Sequence, residues 1–485
     1  MVHSQIAAST YMLVTAFHLG FSGIPQDTCL TQSHHYRAPG GKGIYFTNLE
    51  CLESLPGTFM DSYHVSAHRL SIPQNEDSLL LWAEPETVMS GSGEILANPL
   101  QIFFDRLSSL ETPELEDDHE AQSPFHGQHV VPRAEMMFSG TSYSLLAIHP
   151  SLRSIYDSLL PSNWRGSLIL DAAASRMIPV PSSAVERVLD ISTKVKFDPV
   201  IAALVNNISV PQMTNDIRFL TGEDGKSGIV SRHSFSSGIV VAAKWAKKRF
   251  EETGASCELV PFLTGFGPNV ICKYPAITNT TETVLLSAHY DSRGSFGSTR
   301  APGGDDDGSG TIAILNIART IARRGITFKK NVELCLFAGE EQGLLGSRAY
   351  ARELRSRDAD LVLMIQADML AYHAAGEPAQ LGLPDIIGTP EVTELVAKVA
   401  DIYSPELHVG YTPACCSDHQ SFHEQGFPST QVFERAGPIV DPMYHNSGDL
   451  SDREGYDFEQ VKSIAKVQFA TLLHSAGFDL PADDE

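Results

Sequence analysis

From about Ile239 to the C-terminus, apolar positions switch regularly between two periods. Segments with helical spacing predict helices over 239–250, 308–324, 343–356, 391–403 and 455–475, the first of them stopped by Gly254. Short apolar runs between them predict strands over 257–263, 268–274, 283–289, 331–338, 361–367 and 429–434. Such an alternation predicts an α/β fold over 195–478: a mixed, mostly parallel sheet covered by helices on both faces. Residues 23–190 lack this regularity and read as a separate α+β region, with short alternating segments such as Ser78–Trp82 and Tyr143–Ile148 and no repeats or heptads. The acidic, proline-bearing stretch from Glu111 to Ser123 reads as a loop or linker.

The first 22 residues, Met1 to Ser22, hold an apolar run from Ile6 to Phe17 followed by Gly20 and Ser22, the layout of a secretory signal peptide, although His3 stands where Lys or Arg is usual. The run is too short and polar for a membrane anchor, and no later segment offers one. Two acceptor triplets for N-glycosylation, at Asn207 and Asn279, fit the same route. The seven cysteines leave at least one unpaired within the chain; Cys335, inside an apolar strand, reads as the buried free thiol. Cys257 and Cys272 bracket a strand-turn-strand segment that can close as a disulfide in an oxidising compartment. The expected location is extracellular, with the vacuole as second reading. At 485 residues and 42% hydrophobic content the chain can bury a large core. Its net charge of -24, without clustered Lys and Arg, argues against a nucleic-acid partner.

The chemistry is concentrated at predicted strand ends. Strand 331–338 runs into Glu340-Glu341, two adjacent carboxylates that repel each other unless a cation lies near. Strand 283–289 ends in His289-Tyr290-Asp291, whose His and Asp fall on one face; the first can ligate a metal and the second can fix the imidazole from behind. A glycine-rich turn, Gly303-Gly304-Asp305-Asp306-Asp307-Gly308-Ser309-Gly310, leads into a helix, strand 361–367 ends at Asp368, and Tyr444-His445 follows near the C-terminus. Each piece alone also fits a solvated turn, a helix cap or a surface histidine. Together they form an ordered series of imidazole and carboxylate donors, the set that a two-metal site requires, and one that admits zinc, manganese or cobalt.

These motifs resemble the secreted zinc aminopeptidases of the bacterial and fungal leucyl-aminopeptidase type, in the co-catalytic two-zinc metallopeptidase superfamily. The resemblance covers about 195–478 and implies two Zn²⁺ per chain. Carried over by motif, Asp306 is the bridging carboxylate, His289 and Asp368 complete one zinc site, and Glu341 and His445 complete the other. Glu340 resembles the general base and Asp291 the residue behind His289; the three consecutive aspartates leave the register of Asp306 open by one. The implied substrate is a peptide or protein with a free N-terminus, and 23–190 is expected to be a propeptide. A family Cys-x-x-x-Cys pattern is replaced here by Thr412 and adjacent Cys415-Cys416, which puts side-chain preference in doubt. His419 and His423 are read as structural. Alternative readings are a glutaminyl cyclase or carboxypeptidase of the same fold, or a metal-free receptor-like relative.

Overall fold

The computed structural model describes residues 178–481 apart from 296–297 and 415, and before them 11–15, 29–32, 34–37, 42–62, 64–71, 78–85, 100–110, 134–140, 142–161 and 164–169. The stretch Glu111 to Ser123 and Cys415 therefore lie outside the described residues. Two compact units are present, Met1–Ala38 with Lys42–Ser175, and Pro39–Gly41 with Arg176–Glu485.

The first unit carries two antiparallel sheets. Strands β1 (Tyr11–Thr15), β2 (His34–Arg37), β3 (Gly43–Thr47) and β4 (Ser66–Arg69) lie in the order β2-β3-β1-β4. Strands β5 (Leu79–Pro85), β6 (Ala134–Ser139), β7 (Ser144–Ile148) and β8 (Trp164–Ile169) lie in the order β6-β7-β5-β8. The two orders are the same: strand, crossover, hairpin, helical crossover, strand, with the first strand of each set in the interior of its sheet. The shared strand order is a duplication of topology that the sequence does not display as a repeat. One core joins the two sheets through Met12, Val14, Ile44, Phe46, Leu80, Trp82, Leu145 and Ala147. Glu84, almost wholly buried, pairs with Lys42 and Arg165 and spans from the second sheet to the first.

Tyr11–Thr15, the described part of the apolar run expected to be a leader, forms β1, an inner strand in which Met12 and Leu13 are fully buried. A leader core and a buried strand are both short apolar runs, and periodicity does not separate them. The unit boundary also differs from the expected one. Helix Ser182–Lys194, most of which falls in the expected first region 23–190, belongs to the second unit: Val188 lies in its core, Lys398 donates to the Ser192 carbonyl and Arg187 pairs with Asp360.

In the second unit, β9 (Ser256–Val260), β10 (Asn269–Tyr274), β11 (Thr283–His289), β12 (Thr327–Phe328), β13 (Asn331–Phe337) and β14 (Leu361–Ala367) precede β15 (Gln380–Pro384), β16 (His408–Thr412), β17 (Ser429–Val432) and β18 (Phe478–Asp479). The main sheet has the order β17-β14-β11-β13-β10-β9; the first four strands are parallel and β10 and β9 run antiparallel at one edge. Alternation along the strands separates two cores. Val284, Leu286, Val332 and Leu334 face helices Ser237–Glu251, Gly308–Arg324 and Phe458–Ala476, while Leu285, Cys335 and Met364 face Leu345–Ser356 and His419–Glu424. Cys257 and Cys272 sit opposite each other on β9 and β10 and form a disulfide, as does Cys29 with Cys51; Cys335 is a buried free thiol. Cys416 is also disulfide-bonded. Among the described residues no helix is long and apolar enough to cross a membrane.

Candidate metal centre

Parallel strands deliver their last residues to one rim of a sheet, and ligand sites in such folds lie there. His289 is the final residue of β11, Asp368 follows β14, and Glu340 and Glu341 follow β13 across the turn opened by Gly339, whose φ of +72° favours glycine. The other donors come from irregular segments: Asp306 from the turn before helix Gly308–Arg324, and His445, with a φ of +51°, from the loop before Phe458. All seven residues singled out by sequence meet here.

Asp306 stands between the two imidazoles. Its Oδ1 lies 3.3 Å from His289 Nε2 and its Oδ2 lies 3.2 Å from His445 Nε2. Around His289, Asp368 Oδ1 is at 3.5 Å and Glu340 Oε2 at 3.9 Å; on the other side, Glu341 Oε2 is 3.0 Å from His445 Nε2. The donors fall into two groups, His289 with Glu340 and Asp368, and Asp306 with Glu341 and His445, each with ligand atoms within 4.8 Å of one another.

The three consecutive aspartates make three different sets of contacts. Asp305 turns away and accepts the N–H of Ala371 and Tyr372 at 2.8 and 3.1 Å. Asp306 faces the histidines. Asp307 caps the helix through Gly310 N–H at 2.8 Å and accepts the N–H of His289 and Met369 at 3.1 and 3.2 Å, so it ties together the ends of β11 and β14. Asp291 lies 3.5 Å from His289 Nδ1 and also accepts from Ser234 Oγ at 2.8 Å and from the N–H of Glu340 and Glu341 at 3.4 and 3.3 Å. The same residue that backs the imidazole thereby holds the acidic pair.

Electrostatics show what this cluster needs. Burial, reinforced by Asp368, Asp418 and Glu341 and opposed by His289, pushes the Glu340 carboxyl well above the ordinary range. Burial likewise raises Glu341, and it raises Asp418 to about 7. At Asp306 burial is outweighed by His289 and His445, which hold it below the usual carboxylate range. His289 is fully buried, yet neither ring nitrogen makes a hydrogen bond of normal geometry; its carboxylate neighbours stand at distances longer than the 2.7–2.9 Å of a charge-assisted bond. Glu341 Oε1 is also buried without a hydrogen-bond partner. Crowded carboxylates, two imidazoles and buried lone pairs without donors fit divalent cations, which supply the missing positive charge.

Several supporting residues carry no sequence signal. Arg232 is fully buried and spends its guanidinium on backbone carbonyls, those of Tyr290, Leu220 and Gly303 at 2.8, 3.2 and 2.8 Å and that of Pro302, so it fixes the turn leading to Asp306. Its partners are main-chain carbonyls from three segments, and no motif announces them. His419 is buried, with Nε2 3.2 Å from the Ile387 carbonyl, which agrees with a structural role.

The family profile of peptidase family M28 matches residues 269–471, the span that contains all six donors, Asp291 and their supports from β10 onward. A probable leucine aminopeptidase of Arthroderma otae is 30% identical over 283 residues, 55% of this chain and 73% of that protein. Leucine aminopeptidase 1 of Trichoderma harzianum is 34% identical over 222 residues, 42% of this chain and 54% of its own length, so the chain spans only about half of some curated relatives. The crystal structure of the Legionella pneumophila LapA aminopeptidase superposes with a TM-score of 0.59 at 18% identity, covering 82% of this chain and 98% of that one, which shows a common fold. The profile match over the donor-bearing strands, and a relative aligned over nearly three quarters of its length, place this chain in peptidase family M28.

Proposed function

We propose that the chain is a zinc-dependent aminopeptidase that hydrolyses the N-terminal bond of peptides and proteins with two cations per chain. The observation that carries this reading is Asp306, one carboxylate whose two oxygens face two histidines from different three-donor groups. Bound zinc would polarise the scissile carbonyl and acidify a water. His289 and Asp368 would hold one ion, Glu341 and His445 the other, with Asp306 shared. Glu340 is the carboxylate left over; its raised proton affinity suits a base that takes a proton from the attacking water and returns it to the leaving amine. Asp291 keeps both the His289 ring and the Glu340-Glu341 backbone in place. A site this acidic would attract the ammonium of a free N-terminus.

The disulfides Cys29–Cys51 and Cys257–Cys272 support residence in an oxidising compartment, in keeping with secretion. The first unit, a self-contained pair of sheets with its own core, is compatible with the expected propeptide role. The test of activity is hydrolysis of Leu-anilide and N-acetyl-Leu-anilide by the purified full chain, with and without chelator. Cleavage of the free-amine substrate alone, abolished by chelator, is the expected result; equal cleavage of both, or indifference to chelator, rejects the proposal.

A further inference from the structure

Asp306 and His445 are far apart in sequence and lie on irregular backbone, yet their side chains must present to one ion. Regular secondary structure does not set their separation. The link is Asp449, itself 1% exposed, whose carboxylate accepts the N–H of Asp305 and of Asp306, each at 3.0 Å, while its own N–H donates to the Asn446 carbonyl at 3.0 Å. The Gly304 N–H donates to the Asp449 carbonyl at 2.8 Å, and a Cβ at Gly304 would lie 2.7 Å from the Leu450 carbonyl carbon, so turn and loop are in direct backbone contact. Arg453 in turn grips Asp449 Oδ1 at 3.1 Å and Asp441 in a fork at 2.8 and 2.5 Å, closing the base of the loop that carries His445. Its Nε donates to Leu450 O at 3.1 Å and its guanidinium lies over the Tyr372 ring at 5.5 Å. Tyr372 N–H donates to Asp305, which ties the same network to the segment after Asp368.

We propose that Arg453, acting through Asp449, is a positioning residue for the ion held by Asp306, Glu341 and His445, setting the spacing between two donors that the fold itself leaves loose. The inference rests on the two-cation reading above. Removing the guanidinium leaves Asp449 and Asp441 as buried neighbouring carboxylates without the cation that bridges them, and the His445 loop relaxes away from the Asp306 turn. Lysine cannot reproduce a fork to one carboxylate and a third bond to another.

The experiment is zinc titration of the metal-stripped full chain against a chromophoric chelator, for wild type, Arg453→Lys and Arg453→Ala, with thermal melting of each protein. Wild type is expected to bind two zinc ions. Both variants are expected to keep one site within about threefold and weaken the other about 10–100-fold, as loss of a group behind a metal ligand does, with kcat on Leu-anilide reduced and KM little changed. Two sites of wild-type affinity in a folded variant would overturn the proposal, and so would loss of both sites together with the cooperative melt in Arg453→Lys, which would make the residue merely structural. A wild-type protein that binds no zinc rejects the proposed function instead, so the two failures are distinguishable.

Discussion

Exchanging the Glu340 carboxylate for an amide separates proton transfer from metal binding. The backbone of Glu340 is held independently of its side chain: its N–H donates to Asp291, and its carbonyl accepts from Gly343 and Leu344, both at 2.9 Å. Gln has the same shape, so the turn has no reason to move. The change also removes one of several mutually repelling carboxylates, since Asp368, Asp418 and Glu341 all raise the proton affinity of Glu340. Folding stability should therefore hold or rise slightly. The chemical step should suffer: a positioned general acid-base contributes about 10²–10⁴-fold, or ~2.7–5.4 kcal/mol of barrier. Glu340→Gln is expected to retain two zinc ions by elemental analysis, melt at or above the wild-type temperature, and lose at least about a hundredfold in kcat on Leu-anilide. Glu341→Gln is expected to lose one ion. A Glu340→Gln protein that loses zinc, or that keeps kcat within about tenfold, would show that the duties of the adjacent pair have been assigned in the wrong order.

Other consequences follow from the scaffold. In Glu84→Ala, Lys42 and Arg165 lose the buried carboxylate that pairs with both, and the first unit should lose ~3–5 kcal/mol in denaturant unfolding; a loss under about 1 kcal/mol would mean the triad is solvated. Burial raises the Glu84 pKa, but Arg165 and Lys42 outweigh it and hold it below its ordinary value, so its stabilisation is present above about pH 4.3 and is lost as pH falls through the folded value. Wild type should show this acid-side loss in the first unit and Glu84→Gln should not. Deleting residues 1–22 removes the inner strand β1 and exposes the facing edges of β3 and β4, so the first unit should lose its cooperative transition; an unchanged melt would show that β1 is dispensable. Asp307→Ala strips a helix cap and two further N–H groups of their acceptor and should cost roughly 2–4 kcal/mol in the second unit, measured by chemical unfolding.

What could be read from sequence divides along physical lines. Strands 283–289 and 361–367 and the helix at 308–324 agree with their observed bounds because long buried segments carry an unambiguous period and Asp307 and Gly325 mark the helix ends. Strands β15 and β16 and helices Pro199–Val205 and Val210–Leu220 were missed, since short amphipathic segments around single glycines and prolines give no sustained period. The donors stood out because each follows an apolar strand or a glycine turn. Arg232, Asp449 and Arg453 did not, because their partners are backbone groups and loop carboxylates scattered over the chain. The repeated strand order of the first unit is likewise a property of pairing, invisible until β1, part of an apolar run that also suits a leader, is seen between β3 and β4.

The sharing of Asp306 is the centre of this account, and anomalous diffraction at the zinc edge from zinc-soaked crystals of the full chain tests it directly. Two peaks about 3.5–4 Å apart, one on each side of the Asp306 carboxylate with His289 next to one and His445 next to the other, are predicted. A single peak, or two peaks with Asp306 bound to neither or to only one, would contradict it.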